Sequence, residues 1–65
     1  MKILLWEVRT TKGFTLMELS KKSGIGKSTI NNIENGKVSP TLLQLETIAI
    51  AMNVKITCLF ESEYK

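Results

Sequence analysis

The sequence predicts an all-α fold, a bundle of five short helices forming one domain over residues 1–65. Three observations predict it. Apolar residues recur at three- and four-residue spacings along most of the chain. Glycine or asparagine punctuates those stretches where a helix would have to stop. Alternation of apolar and polar residues is confined to Val54–Leu59, too short and solitary to build a sheet.

The first helix is expected over about 2–12, with Leu5, Val8 and Arg9 along one side and Gly13 as its stop. Thr15 and Glu18 make a capping box for the second, about 16–23, and Phe14 can staple against Leu19 across its start. Ser20 is small enough to allow a close crossing, and Gly24 supplies the positive φ of a tight turn. A third helix follows over about 27–34 behind Gly26, a permissive but weak cap. It turns Ile30 and Ile33 inward and ends at Asn35-Gly36. Ser39 is expected to cap the fourth, about 41–52, with Pro40 at its first position. Leu42, Leu45, Ile48, Ala49 and Met52 supply its core side, and Asn53 fits a left-handed end. A last helix over about 56–61 would lay Leu59 and Phe60 over the core as a lid.

Composition narrows the functional classes. There is no histidine, Cys58 stands alone, and no cluster has metal-ligand spacing, so disulfide, metal and His-dependent chemistry lack their residues. The apolar runs Ile3–Trp6 and Ile48–Met52 are far short of the roughly 20 residues of a membrane span. A lone cysteine and no leader pattern point to a reducing, cytoplasmic setting. The formal charge of +3 is uneven: residues 1–40 carry seven basic and three acidic side chains, residues 41–65 two and three. The basic part coincides with Thr15–Gly36, two short amphipathic helices joined by a tight glycine turn. That is the local design of a helix-turn-helix, whose second helix reads DNA in the major groove.

Across about Leu5–Phe60 the chain resembles the phage repressor/Cro-type (XRE) family of helix-turn-helix regulators. The resemblance is carried by Arg9, Thr15-x-x-Glu18-Leu19, Gly24-Ile25, Ser28-Thr29-Ile30, Ile33-Glu34-Asn35-Gly36-Lys37, Pro40, Ala49, Val54 and Leu59-Phe60. It implies a five-helix bundle of the lambda-repressor-like type, a third helix inserted into the major groove, and a transcriptional regulator, by default a repressor. It also implies no cofactor, and a homodimer on a palindromic operator.

Helix geometry places Lys27, Ser28, Asn31 and Asn32 on or beside the outer face of the third helix when Ile30 and Ile33 point inward. The resemblance assigns base contacts to Lys27, Ser28 and Asn32. Their chemistry agrees, because Lys donates to guanine O6/N7, Asn pairs with adenine N6/N7, and Ser can do either. The edges of the unit are expected to hold phosphates: Thr15 and Leu16 at one helix start, Asn31 on the third helix, and Asn35 to Lys37 at the turn. Lys37 is the charged clamp. Arg9 and Glu34 resemble the family's ion pair between the first and third helices, a structural role.

Two departures bear on affinity. Leu16 stands where the family often carries a glutamine that reaches DNA, and Gly26 replaces a Ser or Thr cap. The outer side of the fourth helix is unusually apolar. Leu43 and Ile50, seven apart, with Val54 and Phe60, form the candidate dimer face. The rival function is a protein-interaction module of the same fold, an antitoxin or anti-regulator whose DNA contact is secondary. GIGKST at Gly24–Thr29 imitates the end of a phosphate-binding loop, but Lys21 occupies the position of its first glycine and no buried strand precedes it.

Overall fold

Four α-helices and a two-stranded clip make up the computed structural model, which describes residues 1–65. In chain order they are β1 (Lys2–Ile3), α1 (Leu5–Thr11), α2 (Leu16–Ser23), α3 (Lys27–Glu34), α4 (Leu42–Met52), a 3-10 turn (Ile56–Leu59) and β2 (Phe60–Glu61).

The expected fifth helix is therefore absent, and the bundle has four helices, not five. Residues 56–59 make one 3-10 turn, and Phe60 is extended at φ −150° and ψ 157°. Residues 2 and 3, assigned above to the first helix, also lie in a strand. β1 and β2 pair antiparallel, Lys2 opposite Glu61 and Ile3 opposite Phe60, and the Leu4 N–H donates to the Leu59 carbonyl at 2.8 Å. The cause is local. Leu4 precedes α1 without any side chain able to cap it, so the N–H groups there gain more from a strand partner. The β-branched pair Ile56-Thr57 gives a weak helix start. Pairing also resolves the apolar run from Ile3 to Trp6: Ile3, within the clip, packs on the core, Leu5 is fully buried, and Trp6 is left exposed.

Leu5, Leu19, Ile30, Ile33, Leu45, Ile48, Ala49, Met52 and Leu59 form one buried cluster. Every helix and the 3-10 turn contributes to it, and α3 is seated in it by Ile30 and Ile33, beyond its first turn. At roughly 25 cal/mol per Å² of buried apolar surface, each of the larger side chains contributes about 1.5–3 kcal/mol.

The start of α4 also differs from the expectation. Thr41, not Ser39, is the cap: its hydroxyl accepts from the Gln44 N–H at 3.0 Å, and the Gln44 side chain accepts from the Thr41 N–H at 2.9 Å. A complete box satisfies two backbone donors where Ser39 would satisfy one. Pro40 then precedes the cap instead of opening the helix. Asn53 ends α4 in the left-handed region, at φ 56°.

Candidate nucleic-acid interface

The α2–turn–α3 unit is built from short-range signals. Thr15 closes α2 with a reciprocal box, its hydroxyl accepting from the Glu18 N–H at 3.0 Å and its own N–H donating to Glu18 Oε1 at 2.9 Å. The hydrogen bond from the Thr15 N–H to Oε1, and after it the Thr15 hydroxyl beside the carboxyl, hold Glu18 below its ordinary value of 4.5. Gly24 ends the helix at φ 76°. The turn itself is fastened by serines. Ser20 Oγ donates to the Ile25 carbonyl at 2.7 Å, and Ser23 Oγ accepts from the Ile25 N–H at 3.1 Å. The small size of Ser20 is legible in the sequence, whereas its hydroxyl role depends on the path of the turn and has no local signature.

Ile30 and Ile33 are fully buried, which leaves Lys27, Ser28, Asn31 and Asn35 exposed and Asn32 half-buried along the outer side of α3. The side chains of Lys27, Ser28 and Asn32 make no hydrogen bond or ion pair within the chain, so their donors and acceptors are available to another molecule. Asn35 Nδ2 donates to Asn31 Oδ1 at 3.3 Å, which orients both amides. At the start of α3, Gly26 offers no side-chain cap. The N–H groups of Lys27, Ser28 and Thr29 consequently stay open, a positive helix end beside the polar face.

The far end of α3 is anchored by Arg9. Its Nε and Nη2 donate to the two carboxylate oxygens of Glu34 at 2.6 and 3.2 Å, and Nη1 donates to the Phe14 carbonyl at 2.9 Å. Both side chains are largely withdrawn from solvent. One guanidinium thus fixes α1, the entry to α2 and the end of α3 together. The bond to Phe14 was not foreseen in the sequence.

The expected phosphate positions divide. Leu16 is half-buried and packs against the core, so its side chain is not directed at a partner; only its N–H, like that of Met17, is open. In Thr15 the box consumes the N–H and an acceptor site of the hydroxyl, so that only the hydroxyl's own O–H can still donate outward. At the Asn35–Lys37 turn Gly36 takes φ 73°, the Gly36 N–H donates to Ile33 and the Lys37 N–H to Asn32, both carbonyls of α3. No backbone donor is spare there, so only the Asn35 amide and the Lys37 ammonium can reach outward. Glu34 is the one acidic residue on α3, and Arg9 neutralises it. Lys21, Lys22, Lys27 and Lys37 have no carboxylate partner, so the face around α2 and α3 is net positive.

The candidate dimer residues also separate. Leu43 and Ile50 are exposed, joined by Leu42, which is expected in the core but stands open at the first position of α4, whereas Val54 and Phe60 are half-buried against the core. Leu42, Leu43, Glu46 and Ile56 line a shallow apolar hollow beside the 3-10 turn.

Residues 7–57 match the helix-turn-helix family model. An HTH-type transcriptional regulator of Archaeoglobus fulgidus is 38% identical over 60 residues, covering 92% of this chain and 86% of the archaeal protein. SinR, the HTH-type transcriptional regulator of Bacillus subtilis, is 30% identical over 60 residues, covering 91% of this chain. The chain spans about half the length of SinR, 54%. The N-terminal DNA-binding domain of SinR superposes with a TM-score of 0.79 at 27% identity, covering 94% of this chain and 90% of the domain. The restriction-modification controller protein C.AhdI of Aeromonas hydrophila superposes at 0.82 with 30% identity, covering 86% and 85%.

Proposed function

The chain belongs to the helix-turn-helix family of phage repressor/Cro (XRE) type, and from that premise we propose that it is a sequence-specific, double-stranded DNA-binding transcription regulator. The observation that carries this reading is the outer face of α3. Lys27, Ser28 and Asn32 stand together with unengaged side chains on a helix held rigidly from behind by a buried core and by Arg9–Glu34.

In this reading α3 enters the major groove. Lys27 donates to guanine O6/N7, Asn32 pairs with adenine N6/N7, and Ser28 takes either role. Lys37 clamps a phosphate, while the Thr15 hydroxyl, the Leu16 N–H and the amides of Asn31 and Asn35 supply neutral backbone contacts. No chemical step is assigned to the site, and the relatives are named as regulators, not as enzymes. Occupancy of a promoter would repress by steric exclusion, in the cytoplasm.

A palindromic operator requires two copies. Exposed Leu42, Leu43 and Ile50 favour a homodimer through the outer side of α4, with half-sites about one helical turn apart, roughly 34–36 Å. The same patch is what favours the second reading, a protein-interaction module with DNA contact secondary.

Selection from a randomised duplex pool, read by fluorescence anisotropy at low and physiological salt, separates the two. A regulator enriches one sequence, and Asn32→Ala loses about 1–3 kcal/mol on it without a change in folding. Binding that fades with salt and enriches nothing leaves only backbone attraction, and transfers the search to a protein partner for Leu42, Leu43 and Ile50.

A further inference from the structure

We infer that Ser20 and Ser23 are positioning residues that set the pitch of α3 against α2, and so the accuracy of DNA reading, an inference that rests on the DNA-binding reading above. Both polar backbone atoms of Ile25 are held by serine side chains of the preceding helix: its carbonyl by Ser20 Oγ at 2.7 Å, its N–H by Ser23 Oγ at 3.1 Å. The Ile25 side chain packs on the core at the same time. The residue midway between the helices is therefore fixed through its side chain, its donor and its acceptor.

This fastening matters because α3 has none of its own at that end. Gly26, directly after Ile25, is the uncapped start of α3. Lys27 and Ser28, the proposed base contacts, are the next two residues. Their angle of approach is passed on from α2 through Ile25, with only Gly26 intervening. Arg9 cannot substitute, since it grips α3 at Glu34, about two turns away. A hydroxyl lost from Ser20 leaves the core and the Arg9 clamp intact while freeing the first turn of α3. The consequence is selective. Base hydrogen bonds demand alignment, whereas phosphate attraction tolerates small rotations.

The test compares the full chain with Ser20→Ala, Ser23→Ala and the hydroxyl-retaining Ser20→Thr, on the duplex selected above and on a scrambled duplex of equal length. Loss of one neutral hydrogen bond predicts a three- to tenfold fall in the ratio of the two affinities for each alanine variant. Scrambled-duplex affinity and its salt slope stay within about twofold, because the number of phosphates neutralised is unchanged. Ser20→Thr, which keeps the hydroxyl and adds one methyl at a close crossing, falls less than Ser20→Ala. In the free protein the Ile25 amide of Ser23→Ala exchanges faster with solvent, a readout independent of DNA. Equal falls on both duplexes would mean general loosening and overturn the inference, as would an unchanged ratio. A parent chain that selects no sequence overturns the DNA-binding reading and this inference with it; a selective parent with equally selective alanine variants overturns the inference alone.

Discussion

Helices α2 and α4 close their own starts, whereas α3 leaves its start open. Thr15 with Glu18 and Thr41 with Gln44 each satisfy two backbone donors reciprocally. α3 has Gly26 at the equivalent position and no side-chain cap. The scaffold helices are stabilised from within; the helix proposed to read DNA is held from outside, by α2's serines at one end and Arg9 at the other. The difference separates two demands on a short helix. A reciprocal box spends a helix's end groups on its own stability, while an uncapped start keeps all of them for a partner.

The largest break of this comparison is at Arg9. Arg9→Ala would leave Glu34 charged, buried and unpaired and release the Phe14 carbonyl, costing roughly 3–5 kcal/mol in urea unfolding. That is much of the stability of an ordinary domain. Replacing both partners, Arg9→Met with Glu34→Leu, should recover most of the loss, since no charge is then stranded. A cost for Arg9→Ala below about 1 kcal/mol would mean that the pair behaves as a surface contact.

Next in size are the caps. Thr41→Ala and Thr15→Ala should each cost about 1 kcal/mol in the same assay. Thr41→Ala should leave DNA affinity untouched. Thr15→Ala should also reduce it slightly if the Thr15 hydroxyl meets a phosphate. Equal binding by the two variants would remove Thr15 from the interface.

How far the sequence reveals this arrangement depends on how local each signal is. Thr15 and Glu18 are three residues apart, so the box over α2 is legible, as are the turn at Gly24 and the inward direction of Ile30 and Ile33. The start of α4 is misplaced by Ser39-Pro40, because the Thr41–Gln44 box seen in the structure satisfies two backbone donors where Ser39 would satisfy one. The clip is illegible, because Ile3 and Phe60 are distant in sequence and two-residue strands have no periodicity. The outer face of α3 follows from helical geometry. Leu16 is placed at the interface by its position at the helix start, and it keeps an open N–H there while its side chain packs inward with Phe14 and Leu19. Ser20 is the opposite case, a residue read as packing whose hydroxyl fastens the turn.

A smaller effect sharpens the contrast by giving α3 a cap. Gly26 sits at φ −58° and ψ 142°, a conformation open to any L-residue. A Cβ there would meet only Thr29 Oγ1 at 3.8 Å, an ordinary contact. Gly26→Ser should therefore stabilise by about 0.5–1 kcal/mol in thermal unfolding, through a new bond to an open N–H and a less flexible unfolded chain. If DNA uses those N–H groups or approaches the glycine closely, the same variant binds less tightly. Unchanged affinity would show that the open end of α3 is not part of the interface.

The smallest effect separates the two closed helices from each other. Glu18 titrates and Gln44 does not. The hydrogen bond from the Thr15 N–H, with the Thr15 hydroxyl beside it, favours the Glu18 carboxylate and lowers its value in the folded chain below 4.5. The box over α2 therefore contributes its full stabilisation above the unfolded value, and that contribution is lost as pH falls through the folded one. The box over α4 has no such dependence. In an NMR titration from about pH 6 to about pH 2, the Thr15 amide should follow the Glu18 carboxyl while the Thr41 amide stays nearly still. Glu18→Gln should abolish the Thr15 response and keep α2 closed, since the amide oxygen accepts as Gln44 does. If Thr15 still responded in that variant, acid would be acting outside the box and the assignment of the response to Glu18 would fail.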